Sequence, residues 1–233
     1  MCGIFGSKKF STFKKLYNLC QDRGSFSYGS IYSKRTDKGR LTVTIKEPGI
    51  FDISSQKYFS YENIKHVTSK FELFLGHTQA PTSSKREYHA DTTHPFRCGN
   101  WIVAHNGVLT NHIELKQQIK DTTLYNAVDT SIIPVLIDTY YKTCEDEVSA
   151  ISETLSLLQG TFSVWVHHMQ TGNTYIGRSG STLYANMSTC DFSSLPDKRL
   201  TKTELEEGIL YTLTPEGITT VGVFASNSPF FLL

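Results

Sequence analysis

The chain has 233 residues and carries 23 Lys and Arg against 22 Asp and Glu, a net charge of +1, with 39% hydrophobic and 12% aromatic residues. This near-neutral balance supplies no global field for nucleic acid or an acidic membrane surface. No apolar run approaches the roughly 20 residues of a spanning helix, and the size suits one domain with one core. Five cysteines, at positions 2, 20, 98, 144 and 190, contain no Cys-x-x-Cys pair and are odd in number. They fit a reducing compartment better than a disulfide framework, and the N-terminus has no basic segment followed by an apolar stretch, so the expected location is the cytoplasm.

In chain order, Gly3 to Ser7 reads as a short apolar strand, followed by Phe10, Phe13, Tyr17 and Cys20 at helical spacing, which places Cys20 in the core. Tyr28 to Ser33 and Leu41 to Ile45 read as a hairpin whose long loop is the polar stretch Lys34 to Arg40. Further strands are expected at Glu72 to His77 and Trp101 to His105. Between them, Ala80 to Gly99 is a long polar loop, a kind of segment that is more often functional than idle. Asn111 with Glu114 resembles a capping box opening a helix through Ile119. A second helix is expected from about Asp129 to Tyr140, with Pro134 tolerated only near its first turn. Val148, Ile151, Leu155 and Leu158 form a third stripe that stops at Gly160. Short strands then follow near 162–167, 174–177, 183–187, 209–213 and 218–224. Strands, clustered helices and strands again describe an α+β layered domain rather than a doubly wound parallel sheet.

The chemistry begins at residue 2. Removal of Met1 would leave Cys2 with a thiol, whose ordinary pKa is about 8.5, beside an α-amine near 7.7 to 8.0. Close to neutral pH such an amine takes the thiol proton, so the pair is a nucleophile with its own base. Gly3 is expected to leave space beside that terminus for a substrate. A thiolate attacking an amide needs donors aimed at the developing oxyanion. His105-Asn106-Gly107 ends an apolar strand and offers a side-chain amide on Asn106 and a closely approachable N–H on Gly107. Taken alone, this tripeptide also reads as a tight Asn-Gly turn. His77, His94, His105 and His112 match no compact ligand spacing, so no metal and no cofactor is expected. His77 is expected at the core edge, and Trp165 in packing.

Cys2-Gly3-Ile4-Phe5-Gly6, Arg23-Gly24-Ser25-Phe26-Ser27-Tyr28-Gly29, Gly76-His77-Thr78, His94-Pro95, His105-Asn106-Gly107-Val108-Leu109-Thr110-Asn111, Asp129-Thr130, Gly160-Thr161-Phe162-Ser163, Arg178-Ser179-Gly180-Ser181 and Glu206-Glu207-Gly208 occur in this order. Together they resemble the class II glutamine amidotransferases, which are N-terminal nucleophile hydrolases. The resemblance implies a four-layer αββα sandwich of two antiparallel sheets spanning residues 2–233 as a single domain with no fused acceptor domain. It implies that L-glutamine is hydrolysed at its side-chain amide to glutamate and ammonia through a γ-glutamyl thioester. Cys2 would be nucleophile and base, Asn106 and Gly107 the oxyanion hole, Arg23 the residue positioning the Cys2 terminus, and Asp129 the anchor for the substrate ammonium. Thr82 falls where the family contacts the substrate carboxylate. The ammonia would go to a synthetase or transferase on another chain, with no nucleic acid or membrane contact.

One departure bears on the substrate. Where the family motif has an arginine gripping the substrate carboxylate, this chain has Gln79, which donates hydrogen bonds but supplies neither charge nor a guanidinium fork. Lys85 or Arg86 is a candidate replacement. Two alternatives therefore stay open: an N-terminal nucleophile amidohydrolase for a different amide, and a non-catalytic binding module of the same fold.

Overall fold

The computed structural model describes residues 2–53, 72–80, 87–119 and 128–227, so Thr82, Lys85, Arg86 and the apolar tail 228–233 lie outside the described residues. Among the described residues, strands β1 (Gly3–Ser7), β2 (Ser27–Thr36), β3 (Gly39–Pro48) and β4 (Leu73–Gln79) form one sheet with three later strands. These are β9 (Tyr184–Asn186), β10 (Asp191–Ser193) and β11 (Thr203–Glu204), and the order is β11-β9-β10-β1-β4-β2-β3. The second sheet contains β5 (Phe96–Cys98), β6 (Trp101–Leu109), β7 (Gly160–His168), β8 (Thr174–Ser179), β12 (Ile209–Thr214) and β13 (Gly217–Val223), in the order β13-β12-β8-β7-β6-β5. Neighbouring strands pair antiparallel throughout both sheets.

Three apolar layers hold the sheets and helices together. Helix α1 (Phe10–Gln21) buries Phe13, Leu16, Tyr17 and Cys20 against the outer face of the first sheet, meeting Phe5, Tyr28, Tyr32 and Phe74. Between the sheets, Ile4, Ile31, Leu75 and Phe192 pack against Ile102, Ala104, Trp165 and Ile176. Helices α3 (Ile132–Cys144) and α4 (Glu147–Leu157) cover the second sheet through Ile132, Ile133, Leu136, Ile137, Ile151 and Leu155. The result is the expected αββα sandwich. Trp165 also ties the two sheets, because its Nε1 donates to Gly76 O at 3.1 Å.

Several local expectations are corrected. The hairpin has no long loop: β2 and β3 stay paired out to Thr36 and Gly39, leaving Asp37 and Lys38 as the turn. Gly39 adopts φ +116, a conformation open to glycine, so the polar ends remain in the ladder despite their exposure. The segment Ala80 to Gly99 is not loop throughout, since Phe96–Cys98 forms β5 beside β6. The second helix starts at Ile132 after a 3₁₀ turn at Asp129–Ser131, which puts Pro134 in its first turn, where no intrahelical bond is lost. His77 is fully buried rather than at the core edge.

Asn111 heads helix α2 (His112–Gln118) but does not cap it with its side chain. Its Nδ2 instead donates to Leu157 O at 2.8 Å, and its Oδ1 accepts from Gln159 N at 3.0 Å. This nearly buried amide therefore fastens the end of α4 to the end of β6. Asn111→Ala leaves both backbone groups without their partner, and we expect a loss of about 2 kcal/mol in urea unfolding.

Candidate active site

Residue 2 stands immediately before β1, and β1 faces the second sheet across the inter-sheet core. Cys2, partly exposed, lines a cavity of about 460 Å³ together with Gln79, His94, His105, Gly107 and Asp129. Five elements thus deliver one wall each: the start of β1, the end of β4, the segment before β5, the far half of β6, and the turn leading into α3. None of the described cysteines is in a disulfide.

The glycines explain how the walls come so close. Gly107 has φ +148, and a Cβ there would lie 1.9 Å from Thr161 O on β7. Asn106 and Gly107 do not form a tight turn; β6 runs on to Leu109 and pairs with β7 through Gly107↔Phe162 and Leu109↔Gly160. A Cβ on Gly29 would sit 1.8 Å from His94 O, so this position in β2 lets the segment before β5 lie against the first sheet. Gly3 does not leave space for a substrate. A Cβ there would meet Thr78 Oγ1 at 2.7 Å and Cys20 Cβ at 2.9 Å, so its missing side chain lets β1 pack on α1 and β4.

The other predicted site residues are distributed around this cavity as follows. Asn106 is nearly buried, and its Nδ2 donates to Ser163 Oγ at 3.4 Å. It is not among the cavity-lining residues, although its neighbour Gly107 is. Gln79 is nearly buried at the end of β4, and its Oε1 accepts from Ser27 Oγ at 2.8 Å. Arg23 follows α1 and its Nη2 donates to Thr182 Oγ1 at 3.4 Å, also away from the lining. Asp129 is held by neutral donors: Leu109 N at 3.0 Å on Oδ2, and Thr130 N at 2.8 Å on Oδ1. Among the described residues no Lys or Arg forms an ion pair with it. Two later motifs also meet, because Arg178 pairs with Glu207 at 3.1 Å and with Glu204 at 3.3 Å, clamping the turn after β8.

Sequence reasoning did not foresee the layer beneath the cavity. The rings of His77 and His94 stack with centroids 3.8 Å apart, and Thr130 Oγ1 lies 2.7 Å from His94 Nε2 and 2.8 Å from His105 Nδ1. The motifs contain all four residues, but nothing in their spacing shows that three imidazoles converge.

Burial keeps His77 neutral, aided by the nearby His105, and moves its pKa down to about 3; burial lowers His105 as well, against the pull of Asp129. On β7, His167 is likewise lowered to about 3 by burial and by Arg40. A histidine whose folded pKa lies below the unfolded value of about 6.5 binds its proton in the unfolded chain first, so stability falls as pH drops below about 6.5. For His77 and His167 together we expect stability at pH 5 to be about 4 kcal/mol below that at pH 8, read from denaturant titrations. Glu147 loses stability in the same direction but at lower pH. Burial raises its pKa, but the bonds from His168, Tyr175, Asn173 and Thr171 outweigh this and bring it to about 2, so its contribution is lost only below about pH 4.5.

Two antiparallel sheets thus lie between helical layers, with residue 2 at the cavity and β1 in the middle of one sheet. In fold, the chain superposes on glutamine phosphoribosylpyrophosphate amidotransferase from B. subtilis with a TM-score of 0.68 at 20% identity, over 94% of this chain and 49% of that one. It also superposes on a glutamine aminotransferase class-II domain protein from Silicibacter pomeroyi with a TM-score of 0.55 at 17% identity, over 96% and 99% of the two chains. In sequence it is 28% identical over 182 residues to glutamine–fructose-6-phosphate aminotransferase [isomerizing] of Sulfolobus acidocaldarius, covering 70% of this chain and 28% of that protein. The chain spans less than half the length of such curated relatives. No family model matches it. The similarity to class II glutamine amidotransferase domains read from the ordered motifs is therefore present in sequence relatives and in fold alike. No described helix is long and apolar enough to cross a membrane.

Proposed function

We propose that the chain is a glutamine-hydrolysing amidotransferase domain in which Cys2, freed by removal of Met1, attacks the side-chain amide of L-glutamine. The observation that carries this reading is the convergence of Cys2, Gly107 and Asp129 on one cavity. The Cys2 thiol gives its proton to its own α-amine as sulfur bonds to the amide carbon. The tetrahedral oxyanion accepts hydrogen bonds from Gly107 N–H and the Asn106 side chain, which turns from Ser163 toward it. Collapse expels ammonia, which takes the proton back from the amine, and leaves a γ-glutamyl thioester. Water then hydrolyses the thioester to glutamate and restores the thiol. Asp129 holds the substrate ammonium, a task suited to a carboxylate that among the described residues accepts only neutral donors. Arg23 supports the Cys2 terminus, and Thr82 and Gln79 contact the substrate carboxylate.

The ammonia passes to an acceptor enzyme or domain, and the reaction takes place in the cytoplasm. Gln79 favours a second reading. With its Oε1 held by Ser27, it presents a neutral group at the carboxylate end, which suits an amide other than free glutamine. The deciding experiment is incubation of the protein with glutamine and with a diazo-ketone glutamine analogue. Release of glutamate and ammonia, with one analogue attached at Cys2 by intact mass, supports the first reading. Cys2 alkylation by iodoacetamide without glutamine turnover supports the second.

A further inference from the structure

We infer that Thr130 is a positioning residue for Asp129, joining that carboxylate to the buried histidine layer through a single hydroxyl. The inference rests on the reading of Asp129 as the ammonium anchor.

The hydrogen count is the starting point. Thr130 is fully buried, and its Oγ1 has three polar neighbours: His94 Nε2 at 2.7 Å, His105 Nδ1 at 2.8 Å and Asp129 Oδ1 at 3.3 Å. A hydroxyl has one proton and accepts at most two bonds. A carboxylate oxygen has no proton to give, so the Thr130 O–H donates to Asp129 and both imidazoles donate to Thr130. His94 thus carries its proton on Nε2 and His105 on Nδ1. No other assignment of a neutral pair satisfies all three contacts.

The consequence for Asp129 is geometric. Its Oδ1 takes both the N–H and the O–H of Thr130, while its Oδ2 takes Leu109 N at 3.0 Å. An ionised carboxylate offers about four acceptor sites. Three are committed to the protein, and these fix the plane of the group and leave the remaining site for a cation in the cavity. Donation from two buried imidazoles polarises the Thr130 hydroxyl and strengthens its bond to the carboxylate. The His94 ring is stacked on His77, and its carbonyl lies where a Cβ on Gly29 would be. The carboxylate's direction is thereby referred back to the first sheet, the one that carries Cys2.

Thr130→Val keeps the side-chain shape and removes the hydroxyl. The test uses the whole chain as wild type, Thr130→Val, Thr130→Ser and Asp129→Asn, with two thiol reagents followed at Cys2 by peptide mass mapping, because Cys144 is also an exposed thiol. The diazo-ketone glutamine analogue carries an α-ammonium, and iodoacetamide does not. We expect Thr130→Val to slow labelling by the analogue about tenfold, through a higher half-saturating concentration rather than a lower limiting rate. Iodoacetamide labelling should be unchanged, and Thr130→Ser should restore the analogue rate to within about twofold. Asp129→Asn should slow the analogue at least as much as Thr130→Val. The inference is overturned if Thr130→Val labels like wild type with both reagents, or if it loses both equally, which would mark a role in folding alone. Failure of the underlying reading is seen separately, as a wild type that reacts with iodoacetamide but not with the analogue, or as an Asp129→Asn chain with an unchanged analogue rate.

Discussion

Replacing Cys2 with alanine is expected to lower glutamine turnover by on the order of 10³-fold or more while leaving the unfolding midpoint within experimental error. Nucleophile removal costs this much because the covalent route is lost, and no other described thiol takes its place. Cys20 lies against Gly3, but it is fully buried beneath β1, 3.3 Å from Ser193 Oγ, and burial pushes its pKa up to about 11. It is therefore a protonated core residue at neutral pH. Stability should be unaffected because Cys2 precedes β1 and lies at the cavity rather than in an apolar cluster. The measurement is glutamate release under saturating glutamine, paired with a thermal melt. Turnover by Cys2→Ala near the wild-type rate would sink the assignment of the nucleophile.

Gly107→Ala is expected to cost at least about 4 kcal/mol of stability and to remove activity with it. Two penalties act at one position. The φ of +148 lies where side chains are strained by roughly 1–3 kcal/mol, and the added Cβ falls 1.9 Å from Thr161 O and 2.6 Å from the same carbonyl carbon. That obstacle is backbone of the adjacent strand, so relief requires β6 and β7 to separate at the point where Gly107 lines the cavity. The adjacent Val108 provides the control. It is 65% exposed, and Val108→Ala should shift stability by no more than about 0.5 kcal/mol. A soluble Gly107→Ala protein that melts with wild type would contradict the geometry.

Much of the layered α+β plan is legible along the chain because burial imposes a period. β1 at Gly3–Ser7 and the buried stripes of α1 and α4 follow directly from apolar spacing. The strands that spacing misses, β5, β10 and β11, have three, three and two residues, too few for alternation to register. The polar ends of the β2–β3 hairpin were equally silent, since an exposed strand has no apolar face to announce it. Gly3 and Asn111 show a different limit. Both occur where local rules assign a role, open space in one case and a helix cap in the other. In each, a residue distant in the chain claims the position: Thr78 and Cys20 fill the space at Gly3, and Leu157 and Gln159 take the amide of Asn111.

By itself the sequence determined which residue types stand ready for amide chemistry: a cysteine at position 2, an Asn-Gly pair ending an apolar run, and an acid before a helix. It could do so because those identities are local and their order along the chain is visible. The tertiary structure alone decided that Cys2, Gly107 and Asp129 share one cavity, that Asn106 and Arg23 are turned to Ser163 and Thr182, and that His94 and His105, which line it, meet His77 and Thr130. The physical reason is that these contacts join residues 17 to more than 150 positions apart. They are created by sheet pairing and the packing of one sheet on the other, for which the spacing of residues along the chain carries no direct signal.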